Sequence, residues 1–369
     1  MGSDGLPKYQ QVARAVEQEV LGRGGSKVPS AREVAAAHGV SVVTASRAIQ
    51  VLRDRGLIRT VERSGSFVTP SPGPETAAHL ALVQRSTPGP WLPASLAFTR
   101  AGFAAVSRRE GLRIDDDRFH FDDATRAAEL RRQARTAARE GVSGIIFMPS
   151  RYSDEAARQD ETFLLACREA GMACVLIERN LRGWARRLDY DLVAADDLDG
   201  GARCTTHLLE QGRRRVAFVT GSPTSSHEGR LAGYLASIAR TPGAGPPLVL
   251  EQPGSDRPGD AYAELAGRLA EHRADAIVCY QDYTALGLIL ELLNRGVRVP
   301  ADVAVTGFDD LPIGQAYSIG LTTYAFSAET VAVHAIRLAR ARAAGDLGPP
   351  VKVLVPGTLI VRGSSSGEA

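Results

Sequence analysis

The chain is poor in the residues that staple, ligate or span. It has four cysteines in 369 residues, Cys167, Cys174, Cys204 and Cys279, and they stand at no metal-ligand spacing. Reduced thiols in a cytosolic protein are the reading they favour. No apolar run reaches the roughly 18 residues that a membrane helix needs. Met1 to Lys8 lacks the basic start and apolar core of a signal peptide. Catalytic signatures are missing as well. No GxGxxG follows the first strand candidate, Leu80–Val83, and there is no GxxxxGK[ST] anywhere. Gly221-Ser222-Pro223 is not a nucleophile elbow, and none of the seven histidines belongs to an HExxH pair. These absences leave no coherent catalytic set, so the chain is expected not to be an enzyme and to carry no cofactor or metal.

What is present is an ordinary globular composition, 44% hydrophobic and 23% charged, which excludes a mostly disordered chain. The net charge of +2 is unevenly spread. Residues 1–70 hold ten Lys/Arg against six Asp/Glu, and the other 299 hold 34 against 36. A basic head on a near-neutral body fits a nucleic-acid-binding module joined to something else. The joint is Thr-Pro-Ser-Pro-Gly-Pro-Glu-Thr at 69–76, where three prolines in five positions exclude a helix or central strand. The expected division is a head over 1–69, a linker over 70–78, a body over 79–363 and a disordered tail over 364–369.

The head reads as a winged helix-turn-helix. Ser30 and Glu33 have capping-box spacing, so a helix starts there and stops at His38-Gly39. Ser41 can cap a second helix, Val42 to Arg55, whose apolar face is Ala45, Ala48, Ile49 and Leu52. Its other face presents Thr44, Ser46, Arg47 and Arg53. The tight turn Gly39-Val40-Ser41 between two short helices is the helix-turn-helix arrangement. Leu57–Val61 and Ser66–Val68 then flank Glu62–Gly65, a hairpin whose tip should carry Arg63 and Gly65.

The body alternates strands and helices. Strands are expected at Leu80–Val83, Gly144–Met148, Cys174–Ile177, Val216–Thr220, Leu248–Glu251, Ala276–Cys279 and Val303–Gly307. Amphipathic stretches lie between them, including Ala124–Glu140, Phe163–Ala170, Leu198–Gln211, Tyr262–Glu271 and Ala285–Arg295. The alternation predicts an α/β fold with parallel sheets, and the length predicts two doubly wound lobes around a cleft. Ligands in such folds sit beyond the carboxyl ends of strands. Glu178-Arg179, Arg230, Asp282 and Asp309 all fall there. Carboxylates and a guanidinium suit a polyhydroxylated ligand. Trp91, Trp184 and Phe326 are aromatic candidates to cover a sugar face. Asp282 also suits a helix N-cap.

These residues carry two resemblances. Tyr9-Gln10-Gln11, PSAREVA, GVSVVTASRAI, LRDRGLI and RSGSFV, over about 6–69, resemble the winged-helix domain of GntR-type transcriptional regulators. The resemblance implies that Arg32, the helix start with Ser41, Val42, Val43, Thr44, Ser46 and Arg47, and the Arg63–Gly65 wing touch DNA. That family usually has arginine where Val42 stands, which leaves Val42 and Val43 free to meet thymine methyl groups. From about His79 to Gly363, the segments GVSGIIFMP, VLIER, DDLDGGARCTTHLLEQGRRRVAFVTG, RLAGY and GFDD resemble the effector domain of LacI-type repressors. That resemblance implies ligand contacts from Glu178, Ser226, Arg230, Gln281 or Asp282, Asp309 and Phe326. It implies chain crossings between lobes near 185–192, 310–326 and 344–353. Lobe 1 would then be 79–187 with 324–345, and lobe 2 would be 190–310 with 346–363.

The expected function is a cytoplasmic, homodimeric, DNA-binding regulator. It would read a roughly palindromic operator, and repression would be relieved by a sugar or sugar derivative. The alternatives are a ligand-dependent activator, a sensor of a non-sugar metabolite and, remotely, a nucleotide-dependent enzyme. A secreted sugar-binding protein would need a signal peptide and would leave the basic head unexplained.

Overall fold

A computed structural model gives the structure of the chain. It describes residues 8–20, 28–54, 58–61, 65–68, 78–84, 94–122, 124–150, 154–181, 188–221, 224–254, 258–316 and 318–366. The chain divides into two compact units, Met1–Ala77 and Ala78–Ala369.

The first unit holds α1 (Lys8–Val20), α2 (Ala31–His38), α3 (Val42–Asp54), β1 (Ile58–Val61) and β2 (Gly65–Val68). The capping box forms: Glu33 N donates to Ser30 Oγ at 3.3 Å, and Ser30 N donates to Glu33 Oε2 at 2.7 Å. Helix α2 ends on Gly39 at φ 60°, a left-handed conformation that costs glycine little. Ala45, Ala48, Ile49 and Leu52 of α3 pack with Val12 and Val16 of α1 and Val34 of α2. Strands β1 and β2 are antiparallel with Val61 opposite Gly65. Gly65 therefore opens the second wing strand and does not sit at the tip. Arg63 lies outside the described residues.

The second unit follows in the order β3 (His79–Gln84), α4 (Ala94–Glu110), β4 (Ile114–Asp115), α5 (Ala127–Arg139), β5 (Val142–Met148), α6 (Asp154–Glu169), β6 (Ala173–Ile177) and β7 (Asp191–Ala195). It continues through α7 (Asp197–Glu210), β8 (Val216–Thr220), α8 (Ser225–Arg240), β9 (Leu248–Glu251), α9 (Pro258–Glu271), β10 (Ala276–Cys279) and α10 (Asp282–Asn294). It ends with β11 (Ala304–Phe308), α11 (Pro312–Ala316), β12 (Thr322–Ala325), α12 (Ala328–Ala343), β13 (Lys352–Val355) and β14 (Thr358–Ile360). One sheet has the order β13-β7-β6-β5-β3-β4 and the other β14-β12-β11-β10-β8-β9. Every pairing is parallel except β12 with β14. Central strands such as β3, β8 and β10 are almost wholly buried, as sheets covered by helices on both faces require.

Two of the three passages between the lobes fall at different places from those expected, and the second lies at the end of the expected 310–326. Strand β7 belongs to the first sheet, so the first crossing follows Ala195 and is not at 185–192. Asp191 explains this placement. Its carboxylate accepts Arg342 Nε at 2.7 Å, Arg342 Nη2 at 2.9 Å and Val351 N at 2.8 Å. Those bonds hold β7 beside β13, so 352–355 also joins the first sheet and not the second. Strand β12 pairs with β11 in the second sheet, whereas α12 packs on the first. The second crossing is therefore at Phe326–Ser327, and the third falls between β13 and β14.

The tail is a further correction. Ser364 and Ser365 are buried. Ser364 Oγ donates to Val305 O at 2.7 Å and accepts Thr322 N at 2.9 Å. Ser365 Oγ meets Thr322 Oγ1 and His207 Nε2, each at 2.7 Å. A serine run that reads as disordered instead supplies hydroxyls to the second sheet. Residues 367–369 lie outside the described residues.

Candidate functional site

The carboxyl ends of both sheets meet around a cavity of about 20 Å³. Phe98, Glu178, Arg179, Ala195, Asp197, Ser226, His227, Arg230, Gln281, Asp309 and Phe326 line it. Arg230 is its centre. The start of α8 places it there: Thr224 caps the helix by accepting His227 N at 3.2 Å, and Arg230 follows one turn later. Close packing of α7 on α8 brings it to its partner. A Cβ at Gly201 would run into the backbone of Arg230, so only glycine permits this approach.

The Arg230 guanidinium donates Nε–H to Asp197 at 2.9 Å and Nη1–H to the Tyr280 carbonyl. It lies 3.7 Å from Asp309 and sits 3.4 Å above the Phe308 ring centroid. Burial lifts Asp197 to about 7 despite Arg230, and the neighbouring charges of Asp309 and Glu178 add to that rise. Burial alone would lower the arginine, but Asp197 and Asp309 outweigh it and raise Arg230 instead. From the other lobe, Glu178 accepts Thr99 Oγ1 at 2.5 Å and Arg179 Nη2 at 3.0 Å. Asn180 N donates to Ser225 Oγ at 2.7 Å and so ties the lobes together beside the cavity. Phe326 stands on a crossing segment and packs against the cores of both lobes, with its ring edge-on to Phe98 at 5.8 Å.

Two of the carboxylates sit on strained backbone. Glu178 has φ 65° and Asp309 has φ 110°, conformations that L residues seldom adopt. Each costs about 1–3 kcal/mol and aims a side chain from a strand end into the cleft. Three carboxylates, Glu178, Asp197 and Asp309, face two guanidiniums, Arg179 and Arg230. With Asp197 lifted to about 7, the charges of the cleft come close to balance.

The structure thus brings together Glu178, Ser226, Arg230, Gln281, Asp309 and Phe326. It does not bring in Asp282. That side chain is fully buried and faces its own lobe, accepting Leu311 N at 2.7 Å and Thr323 Oγ1 at 2.6 Å. The N-cap of α10 is Gln281 rather than Asp282. Burial, with Asp309 nearby, lifts Asp282 to about 7. Trp91 and Trp184 lie outside the described residues. Arg179, expected beside Glu178 at a strand end, also lines the cleft, whereas Phe98, Asp197 and His227 were not singled out as cleft residues from the sequence. Asp197 enters the cleft through its contact with Arg230 of α8, which no local pattern announces.

In the head, Arg32, Ser41, Ser46 and Arg47 are exposed, and Val42 and Val43 open α3 toward solvent. Thr44 is half-buried, its N–H held by Ser41 Oγ at 3.1 Å.

Residues 8–68 match the family described as bacterial regulatory proteins of the gntR family, and residues 205–365 match the periplasmic binding protein-like domain. The chain carries a gntR-type helix-turn-helix head and a periplasmic-binding-protein-like body. The transcriptional regulator GalR of Salmonella typhimurium strain LT2 is 34% identical over 195 residues, 52% of this chain and 55% of the relative. The chain thus spans about half the length of the GalR relatives it matches. The arabinose metabolism transcriptional repressor of Geobacillus stearothermophilus is 24% identical over 374 residues, 98% of each chain. These relatives are regulators and not enzymes. Among solved structures, CcpA of Lactococcus lactis is similar at a TM-score of 0.62 and 18% identity, covering 79% of this chain and 100% of that one. The regulator CelR in complex with cellobiose gives a TM-score of 0.63 at 22% identity, covering 97% and 100%. The likeness to these structures is one of fold, and it matches the two-lobed, parallel-sheet architecture of the periplasmic-binding-protein-like body.

Proposed function

We propose that the protein is an effector-responsive transcriptional regulator. In this reading the gntR-type head reads duplex DNA, and the cleft between the lobes binds a neutral polyhydroxylated molecule, a sugar or close derivative. The observation that carries the reading is the convergence of Glu178, Asp197 and Asp309 on Arg230 in one chain with an exposed helix-turn-helix. Each carboxylate accepts paired hydroxyl donors, and the Phe326 ring offers an apolar face. With the cleft's charges near balance, a neutral ligand brings no unpaired charge into a buried site. A cavity of about 20 Å³ has room for one or two waters. Effector binding therefore requires the lobes to part, and this motion is the conformational change that the regulator would transmit.

The protein would act as a homodimer on a roughly palindromic operator, with the effector relieving repression. Two similar proteins support this by analogy: a lac repressor dimer bound to operator, and the arabinose repressor that aligns with nearly the whole chain. Four free, buried cysteines suit a reducing cytoplasm.

A thermal-shift panel of neutral sugars, sugar acids and sugar phosphates tests the cleft, because a ligand that binds the folded state raises its stability by mass action. A neutral sugar should stabilise the protein, and Arg230→Ala should remove the effect. Stabilisation by acidic sugars alone would overturn the ligand class.

A further inference from the structure

Helix α3 begins with two apolar side chains in water: Val42 is 48% exposed and Val43 79% exposed. Neither joins the head's core, which takes Ala45, Ala48, Ile49 and Leu52 from this helix. Two adjacent β-branched residues also do little for helix formation. Several polar neighbours are engaged within the head. The Ser41 and Thr44 hydroxyls bond each other at 2.9 Å, and Ser41 Oγ also caps Thr44 N. The Arg47 guanidinium lies 4.5 Å from the Tyr9 ring centroid on α1. Further along the helix, Arg53 donates to Gln50 at 2.7 Å. The first turn therefore presents two isopropyl groups outward.

We propose that Val42 and Val43 read thymine methyl groups, so that this head specifies its half-site through apolar contacts. The inference rests on the DNA-binding role proposed above. In the major groove the thymine C5-methyl is the apolar group that distinguishes one base, and the first residues of a recognition helix are those that reach base edges. An arginine at position 42 would seek the acceptors of guanine. A valine cannot do so, and it gains only by removing apolar surface from water. The committed partner is duplex DNA because the charge is complementary. Residues 1–70 carry ten Lys/Arg against six Asp/Glu, and Arg32 is exposed at the start of α2. In this scheme attraction comes from phosphate contacts and selection from the valines.

The test uses the full chain and a random duplex library. The most enriched duplex is resynthesised with deoxyuridine in place of each thymidine in turn, which removes one methyl and leaves base pairing intact. The expected result is thymine at the contacted half-site positions, with affinity falling about fourfold for each contacted methyl removed. Val42→Ser/Val43→Ser should weaken binding to the thymine duplex and erase the thymine–uracil difference. Arg32→Ala should weaken binding to both duplexes and keep that difference. Because both valines are exposed, thermal unfolding of the double variant should match the parent. Specific binding with equal affinity for thymine and uracil duplexes would overturn the inference alone. No enriched sequence, with affinity set only by salt, would overturn the DNA-binding reading and this inference with it.

Discussion

Arg230 donates its Nε–H to the Asp197 carboxylate at 2.9 Å, joining the second turn of α8 to the first turn of α7 at the floor of the cleft. Both side chains are about nine-tenths buried, so neither charge has water to fall back on. Arg230→Ala would leave Asp197 and Asp309 close together without their cation. Loss of one partner of a buried pair costs about 3–5 kcal/mol, so the variant should melt well below the parent. Asp197→Asn/Arg230→Ala should recover part of that loss, which thermal unfolding of single and double variants measures directly. Neither variant should respond to the effector.

The contact depends on backbone approach. Gly201→Ala would place a methyl against the backbone of Arg230 and force α7 and α8 apart. The helix itself favours alanine over glycine by up to about 1 kcal/mol, so a gain in stability would mean that the helices are not in contact there. The expected outcome is a lower melting temperature and a weaker ligand-induced shift.

The buried carboxylates set a pH dependence. Asp197 and Asp282 both rise from ordinary aspartate values to about 7 on folding. Between about pH 4 and pH 7 the folded chain therefore holds protons that the unfolded chain has released. Stability should fall as pH rises through that window, and it should level off above it. Asp197→Asn should flatten part of this slope in denaturant titrations at stepped pH. An unchanged slope would place the Asp197 proton elsewhere.

The C-terminal serines make a further prediction. Truncation after Gly363 removes the partners of Val305 O and Thr322 N, which Ser364 Oγ satisfies. Each buried group left unpaired costs about 1–3 kcal/mol, so the truncated chain should be measurably less stable in urea. A dispensable tail would unfold at the same midpoint as the parent.

Much of this architecture is legible in the residues. The runs GIIFM and VAFVT announce buried parallel strands because burial on both faces demands continuous apolar side chains. The turn at Gly39 and the cap at Ser30 are local devices, and local devices can be read from spacing. The placement of β7 and β13 in the first sheet is not legible, because what seats them side by side is the distant pair Asp191–Arg342 and not their own pattern. The same holds for the cleft. Glu178, Arg230 and Asp309 stand at strand ends or an early helix turn and are visible from position. Asp197 becomes a cleft residue only because α7 and α8 touch. Asp282 has the same credentials in sequence as Asp309, yet it turns inward to Leu311 and Thr323.

The most direct test of the account is the affinity of the full chain for its selected duplex at fixed salt, with and without the sugar that stabilises it. The sugar should change this affinity by a factor of about 5–150, the usual range of coupling between two sites, and Arg230→Ala should abolish the change while still binding the duplex. A sugar that stabilises the protein yet leaves its affinity for DNA unaltered would contradict it.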